Sequence, residues 1–115
     1  MGQPLLSIVI PTFNESNTIA TVLEKVSAVF ADRDISKEIV IVDDGSTDGT
    51  REFLNGLTEP EISIILHPEN RGKGAAVRTA IDHAKGEYLL IQDADLEYDP
   101  KDYPVLLDPI QRDRS

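Results

Sequence analysis

Four short apolar runs divide the chain, and between them apolar residues recur at helical spacing. The first run, residues 5–10 (Leu-Leu-Ser-Ile-Val-Ile), reads as a buried strand ended by Pro11. Turn and cap residues follow, and a helix is predicted to about Phe30, with Ile19, Val22, Leu23, Val26 and Phe30 on one face. Residues 38–42 form a second strand, and Phe53, Leu54 and Leu57 mark a helix that ends near Gly56 or Pro60. A third strand covers 62–66. The helix after it is predicted to turn Val77, Ala80, Ile81 and Ala84 inward. Residues 88–91 (Tyr-Leu-Leu-Ile) show no alternation, the pattern of a strand buried on both faces of a parallel sheet. Asp99 and Pro100 read as N-cap and first residue of a last helix over 101–110, with Val105, Leu106 and Ile110 apolar.

The order β-α-β-α-β-α-β-α, with right-handed crossovers, predicts an α/β fold: a parallel sheet with helices on both faces. Four unusual stretches (11–15, 43–48, 70–74 and 93–97) each follow a strand end, so they would meet at one edge of the sheet, where open α/β sheets bind ligands.

Composition narrows the functions open to such a sheet. The 115 residues are 40% hydrophobic and 28% charged, an ordinary globular balance. Eleven basic against 21 acidic residues give a formal charge of −10, and the basic residues form no long run. That argues against non-specific nucleic-acid binding and against a polybasic membrane patch. An anionic substrate would need a bridging cation or a very local basic site. There is no cysteine, which excludes disulfides and thiolate metal sites. No apolar run approaches the roughly 20 residues of a membrane span, and residues 1–7 do not read as a signal peptide. The expected location is cytoplasmic.

The strongest chemical signal is Asp93-Ala94-Asp95 at the end of the fourth strand. Carboxylates at i and i+2 point the same way and would repel each other unless a hard divalent cation, Mg²⁺ or Mn²⁺, is held between them. Glu97 offers a third ligand. Gly72-Lys73-Gly74, before a helix start, offers backbone N–H groups and a cation to a phosphate, but matches neither a P-loop nor a dinucleotide fingerprint. Residues 44–55 make a poor calcium loop, because Asn55 stands where the bidentate Glu belongs. Asn14-Glu15-Ser16 matches the glycosylation pattern by chance, and His67 and His83, lacking metal-ligand company, read as ordinary surface or loop residues.

Four segments together resemble family-2 glycosyltransferases, in particular the branch containing dolichol-phosphate mannosyltransferase. They are Ser7-Ile8-Val9-Ile10-Pro11-Thr12-Phe13-Asn14-Glu15, Ile41-Val42-Asp43-Asp44-Gly45-Ser46-Thr47-Asp48-Gly49-Thr50, Asn70-Arg71-Gly72-Lys73-Gly74-Ala75-Ala76 and Gln92-Asp93-Ala94-Asp95-Leu96-Glu97. The resemblance implies a GT-A, Rossmann-like fold with a nucleotide-sugar donor, GDP-mannose or a UDP-sugar, at the strand ends. It places Pro11, Thr12, Asn14 and Glu15 around the nucleotide, Asp43 facing the base, Asp44 at the nucleoside or its pocket, and Lys73 near the donor. Asp93, Ala94 and Asp95 would meet the donor diphosphate, with Asp93, Asp95 and Glu97 on the divalent metal; the mannosyltransferase branch often has Gln at the last position. The acceptor implied is a polyprenyl phosphate.

The family continues well beyond the metal motif, so residues 1–115 are expected to be the N-terminal nucleotide-sugar-binding half of a domain, without the acceptor half and inactive alone. No catalytic base is assigned. Three other readings are weaker. A phospho-acceptor receiver needs paired acids after the first strand, where this chain has Pro11-Thr12-Phe13-Asn14-Glu15. A sugar nucleotidyltransferase needs a Gly-rich, Arg-containing loop there. A non-catalytic module would keep the donor site without turnover.

Overall fold

The computed structural model describes residues 4–31, 34–92 and 94. Strands β1 (Leu6–Thr12), β2 (Lys37–Asp44), β3 (Ile62–His67) and β4 (Tyr88–Ile91) form a parallel sheet in the order β3-β2-β1-β4. Helices α1 (Ile19–Phe30), α2 (Thr50–Asn55) and α3 (Lys73–His83) connect them. The chain steps from β1 to β2 to β3 in one direction and from β3 back to β4 in the other. Right-handed crossovers therefore put α1 and α2 on one face and α3 on the opposite one.

The two faces are filled differently. Leu6, Ile8 and Ile10 of β1 and Ile39 and Ile41 of β2 pack with Ile19, Val22, Val26 and Phe30 of α1 and Leu54 of α2. On the other face Val9, Val40 and Val42 pack with the small Ala76 and Ala80 of α3, and Ile65 of β3 lies against them. Because β1 and β2 are covered on both sides, their sequences are continuously apolar rather than alternating.

β1 runs two residues past its expected end, through Pro11. Val9 presents its carbonyl to the Gln92 N–H at 2.9 Å, so its backbone polar groups face β4. Pro11, two residues on, faces the same side beyond the last β1–β4 pair (Val9 with Ile91), and its missing N–H breaks no ladder bond.

Two expectations are corrected. The inward residues of α3 are Ala76 and Ala80, whereas Ile81 is 41% exposed and Val77 only half-buried. The helix lies over β1 and β2, and its alanines allow a close approach there. β4 is not buried on both faces: Tyr88 and Leu90 pack on the larger core, but Leu89 and Ile91 are 47% and 49% exposed. Among the described residues it pairs with β1 alone, at the edge of the sheet, while α3 packs mainly over β1 and β2. The predicted helix over 101–110 lies outside the described residues, among which no helix is long and apolar enough to cross a membrane.

Candidate functional site

The loops after β1 and β2 are closed on each other by hydrogen bonds. Asn14 takes a left-handed conformation (φ 51°) that an Asn tolerates, and its N–H donates to Ser46 Oγ at 2.8 Å. Its side-chain oxygen accepts from the Thr47 N–H at 2.8 Å. The next two amides continue the seam, Glu15 N–H to Thr50 Oγ1 (3.0 Å) and Ser16 N–H to Asp48 Oδ2 (3.1 Å). Asp48 also accepts from the Thr50 hydroxyl and N–H, satisfying one free amide at the start of α2. The Thr50 hydroxyl, above all, holds the Asp48 carboxyl below the usual carboxylate range.

Asp43 and Asp44 are both buried at the end of β2, and the period of two sends them to opposite sides of the sheet. Asp43 follows Ile39 and Ile41 toward the α2 side, where its Oδ2 accepts from Arg51 Nε (3.0 Å) and the Ser46 N–H (3.3 Å). Its Oδ1 is buried without a hydrogen-bond partner among the described residues. Asp44 follows Val40 and Val42 toward α3. Its Oδ1 accepts from His67 Nδ1 (2.8 Å) and the Arg71 N–H (2.9 Å), and its Oδ2 from the Gly72 N–H (2.9 Å). Burial alone would raise the Asp44 pKa; the bonds from His67, Arg71 and Gly72 outweigh it and leave the group below its ordinary 3.8.

His67 is therefore no ordinary surface or loop residue. It ends β3 with 4% exposure, and its second nitrogen lies 2.9 Å from Thr79 Oγ1 of α3. His83 is exposed, as expected. Gly45 brings the 69–72 turn close: at φ +81° a Cβ there would lie 2.6 Å from Asn70 N and 2.7 Å from the Glu69 carbonyl carbon. The Gly72 amide, expected to be open to a phosphate, is already occupied by Asp44.

Beside these loops lies a cleft of about 260 Å³. Six of the expected donor-site residues line it: Pro11, Thr12, Glu15, Asp44, Lys73 and Ala94. Asn14 and Asp43 do not; Asn14 joins the two loops and Asp43 sits fully buried outside the wall. Ala94 is 3% exposed, and its carbonyl accepts from Thr18 Oγ1 at 2.5 Å. Asp93, Asp95 and Glu97 lie outside the described residues, among which no group of three His, Cys, Asp or Glu side chains is placed to hold a metal.

Sequence reasoning missed Phe13, Asn70 and Ala76 in the wall, and Arg51 behind it. Phe13 carried a signal, an aromatic residue in a polar strand-end loop, and it is 43% exposed. Arg51 carried none beyond the need of a buried Asp for a cation.

The glycosyl transferase family 2 model matches residues 7–115. The dolichyl-phosphate beta-glucosyltransferase of Saccharomyces cerevisiae is 37% identical over 115 residues, covering 93% of this chain and 34% of its own. Among solved structures, the mannosyltransferase PcManGT from Pyrobaculum calidifontis, in complex with GDP-Man and Mn²⁺, superposes with a TM-score of 0.65 at 32% identity. That match covers 83% of this chain and 28% of PcManGT. S. aureus TarS 1–349 in complex with UDP-GlcNAc gives 0.68 at 26% identity, over 91% of this chain and 31% of TarS. The chain spans about a third of the length of the curated relatives it matches. A parallel β3-β2-β1-β4 sheet with flanking helices, superposing on GT-A enzymes over most of its length, agrees with the family match: this chain belongs to glycosyl transferase family 2.

Proposed function

We propose that residues 1–115 form the donor-binding part of a glycosyltransferase that moves a sugar from a nucleoside diphosphate to a polyprenyl phosphate, with inversion at the anomeric carbon. The observation that carries this reading is the strand-end cleft, where Glu15, Asp44 and Lys73 meet Ala94, the residue between Asp93 and Asp95. Lys73 brings a cation to the donor diphosphate in a chain of net charge −10.

A divalent cation fits this chain. Three carboxylates within five residues are a hard-cation ligand set, and the backbone between the first two reaches the cleft wall at Ala94, fixed there by Thr18. Asp93, Asp95 and Glu97 would hold Mn²⁺ or Mg²⁺, which supplies neutralising charge for the leaving nucleoside diphosphate. The acceptor phosphate oxygen, already an anion, forms the new bond to the anomeric carbon as the carbon–diphosphate bond breaks on the opposite face. A lipid phosphate as acceptor would put this reaction at a membrane surface, on its cytoplasmic side.

GDP-mannose is the donor favoured by the likeness to PcManGT, solved with GDP-Man and Mn²⁺. A UDP-sugar is the second reading, favoured by the TarS complex with UDP-GlcNAc. Calorimetric titration of the folded chain with GDP and with UDP, each with and without Mn²⁺, tests the proposal. Binding that requires Mn²⁺ and is lost in Asp95→Ala supports it, and the preferred base chooses the donor. A chain that is folded by circular dichroism yet binds neither nucleotide overturns it.

A further inference from the structure

We infer that His67 is a positioning residue: through its imidazole it fixes Asp44 and the turn leading to Lys73, and through its carbonyl it fixes the Arg51 that orients Asp43. Its relevance to sugar transfer rests on reading the cleft as the donor site; its action on the turn does not.

The argument begins with proton placement. A carboxylate only accepts, so the 2.8 Å contact to Asp44 Oδ1 requires the hydrogen on His67 Nδ1. In the neutral ring Nε2 is then an acceptor, and the Thr79 hydroxyl 2.9 Å away supplies its proton. The ring is thus gripped from both ends, by β2 through Asp44 and by α3 through Thr79. Asp44 passes the constraint on, because its carboxylate also receives the Arg71 and Gly72 amides. Gly72, at φ 97°, precedes Lys73, the first residue of α3 and part of the cleft wall. The main chain of His67 makes the second connection: its carbonyl accepts from Arg51 Nη2 at 2.5 Å, while Arg51 Nε holds Asp43 Oδ2. One residue therefore joins both carboxylates at the end of β2 to the turn that delivers Lys73. Packing alone does not demand this side chain, since the preceding α3-facing residue of the same strand is Ile65.

Isosteric replacements separate positioning from bulk. In His67→Asn the amide nitrogen takes the place of Nδ1 and still donates to Asp44. In His67→Gln the amide reaches toward Thr79 and leaves Asp44 Oδ1 without its side-chain donor. We expect amide hydrogen exchange, followed by NMR without nucleotide, to accelerate about tenfold or more at Arg71 and Gly72 in His67→Gln but to stay near wild type in His67→Asn. Amides of Val40 and Ile41, at the centre of β2, should keep their protection in both. GDP affinity with Mn²⁺ should follow the same order, about tenfold weaker in His67→Gln and near wild type in His67→Asn. Thr79→Val, which frees Nε2 only, should loosen the same two amides to a smaller degree. Unchanged exchange at Arg71 and Gly72 in His67→Gln overturns the inference, as does an equal acceleration throughout the sheet in both His67 variants. If the wild type binds no nucleotide, the donor-site reading falls, while the amide pattern still decides what His67 does.

Discussion

Asp43 and Asp44 are consecutive residues of one strand, both buried, and their surroundings are opposite in kind. Asp44 has a donor on each oxygen, from three separate residues, and stands in the wall of the cleft. Asp43 is held on one oxygen by Arg51 and Ser46, while the other has no partner among the described residues. The strand period explains the divergence, since neighbouring side chains leave a strand on opposite faces. The lesson is a division of labour: Asp44 builds the site, whereas Asp43 keeps acceptor capacity that none of the described residues uses.

The strongest way to break this contrast is to remove Asp44. Asp44→Ala strands a buried imidazole N–H and two backbone amides, and should cost about 3–5 kcal/mol of stability in urea unfolding. Asp43→Asn keeps an acceptor for Arg51 but gives up the ion pair and buries an amide N–H₂ where the carboxylate oxygen has no partner among the described residues. It should cost about 1–3 kcal/mol, less than Asp44→Ala. Equal losses in the two variants would end the distinction.

Two glycines of the loop after β2 sharpen it. Gly45→Ala combines a positive φ with backbone atoms of the 69–70 segment 2.6–2.7 Å from the new Cβ, and should cost about 2–3 kcal/mol. Gly49→Ala carries positive φ alone, with nothing within 4 Å, and should cost about 1 kcal/mol. Thermal unfolding of the pair measures how much the close approach of the Asp44-bound turn adds to simple strain.

Acid unfolding gives the gentlest test. The folded-state pKa of Asp44 lies below its ordinary value of 3.8, so the native state resists protonation there. The stability this contributes is present above the unfolded value and disappears as pH falls through the folded one. Asp44→Asn should therefore flatten the acid limb of the stability curve, as followed by urea unfolding over a series of pH values.

Much of this architecture is legible in the residues, and the reasons are local. Ile39, Val40, Ile41 and Val42 can be uniformly apolar only in a strand covered on both faces, and Ile19, Val22, Leu23 and Val26 repeat at helical spacing. Where the reading failed, the deciding information was distant or weakly written. Ala76 and Ala80 carry less hydrophobic weight than Ile81, so the buried face of α3 was placed one step around the helix. Tyr88-Leu89-Leu90-Ile91 has the same composition whether one face is covered or two. His67 takes its meaning from Asp44, 23 residues before it, and Thr79, 12 after, a relation that no window along the chain reveals. The strand-end loops were recognisable as a group because polar, glycine-rich segments after buried strands must gather at one edge. Which of their amides were already in use, as Gly72 is, only the folded arrangement tells.

The most direct test of the donor-site account is a calorimetric comparison of wild type and Lys73→Gln with GDP and Mn²⁺. Lys73 is an exposed residue of the cleft wall, so its replacement should move stability by no more than about 0.5 kcal/mol. Loss of its charge from the diphosphate should weaken binding about tenfold or more. Equal affinity in the two proteins, or no binding by the folded wild type, would contradict the account.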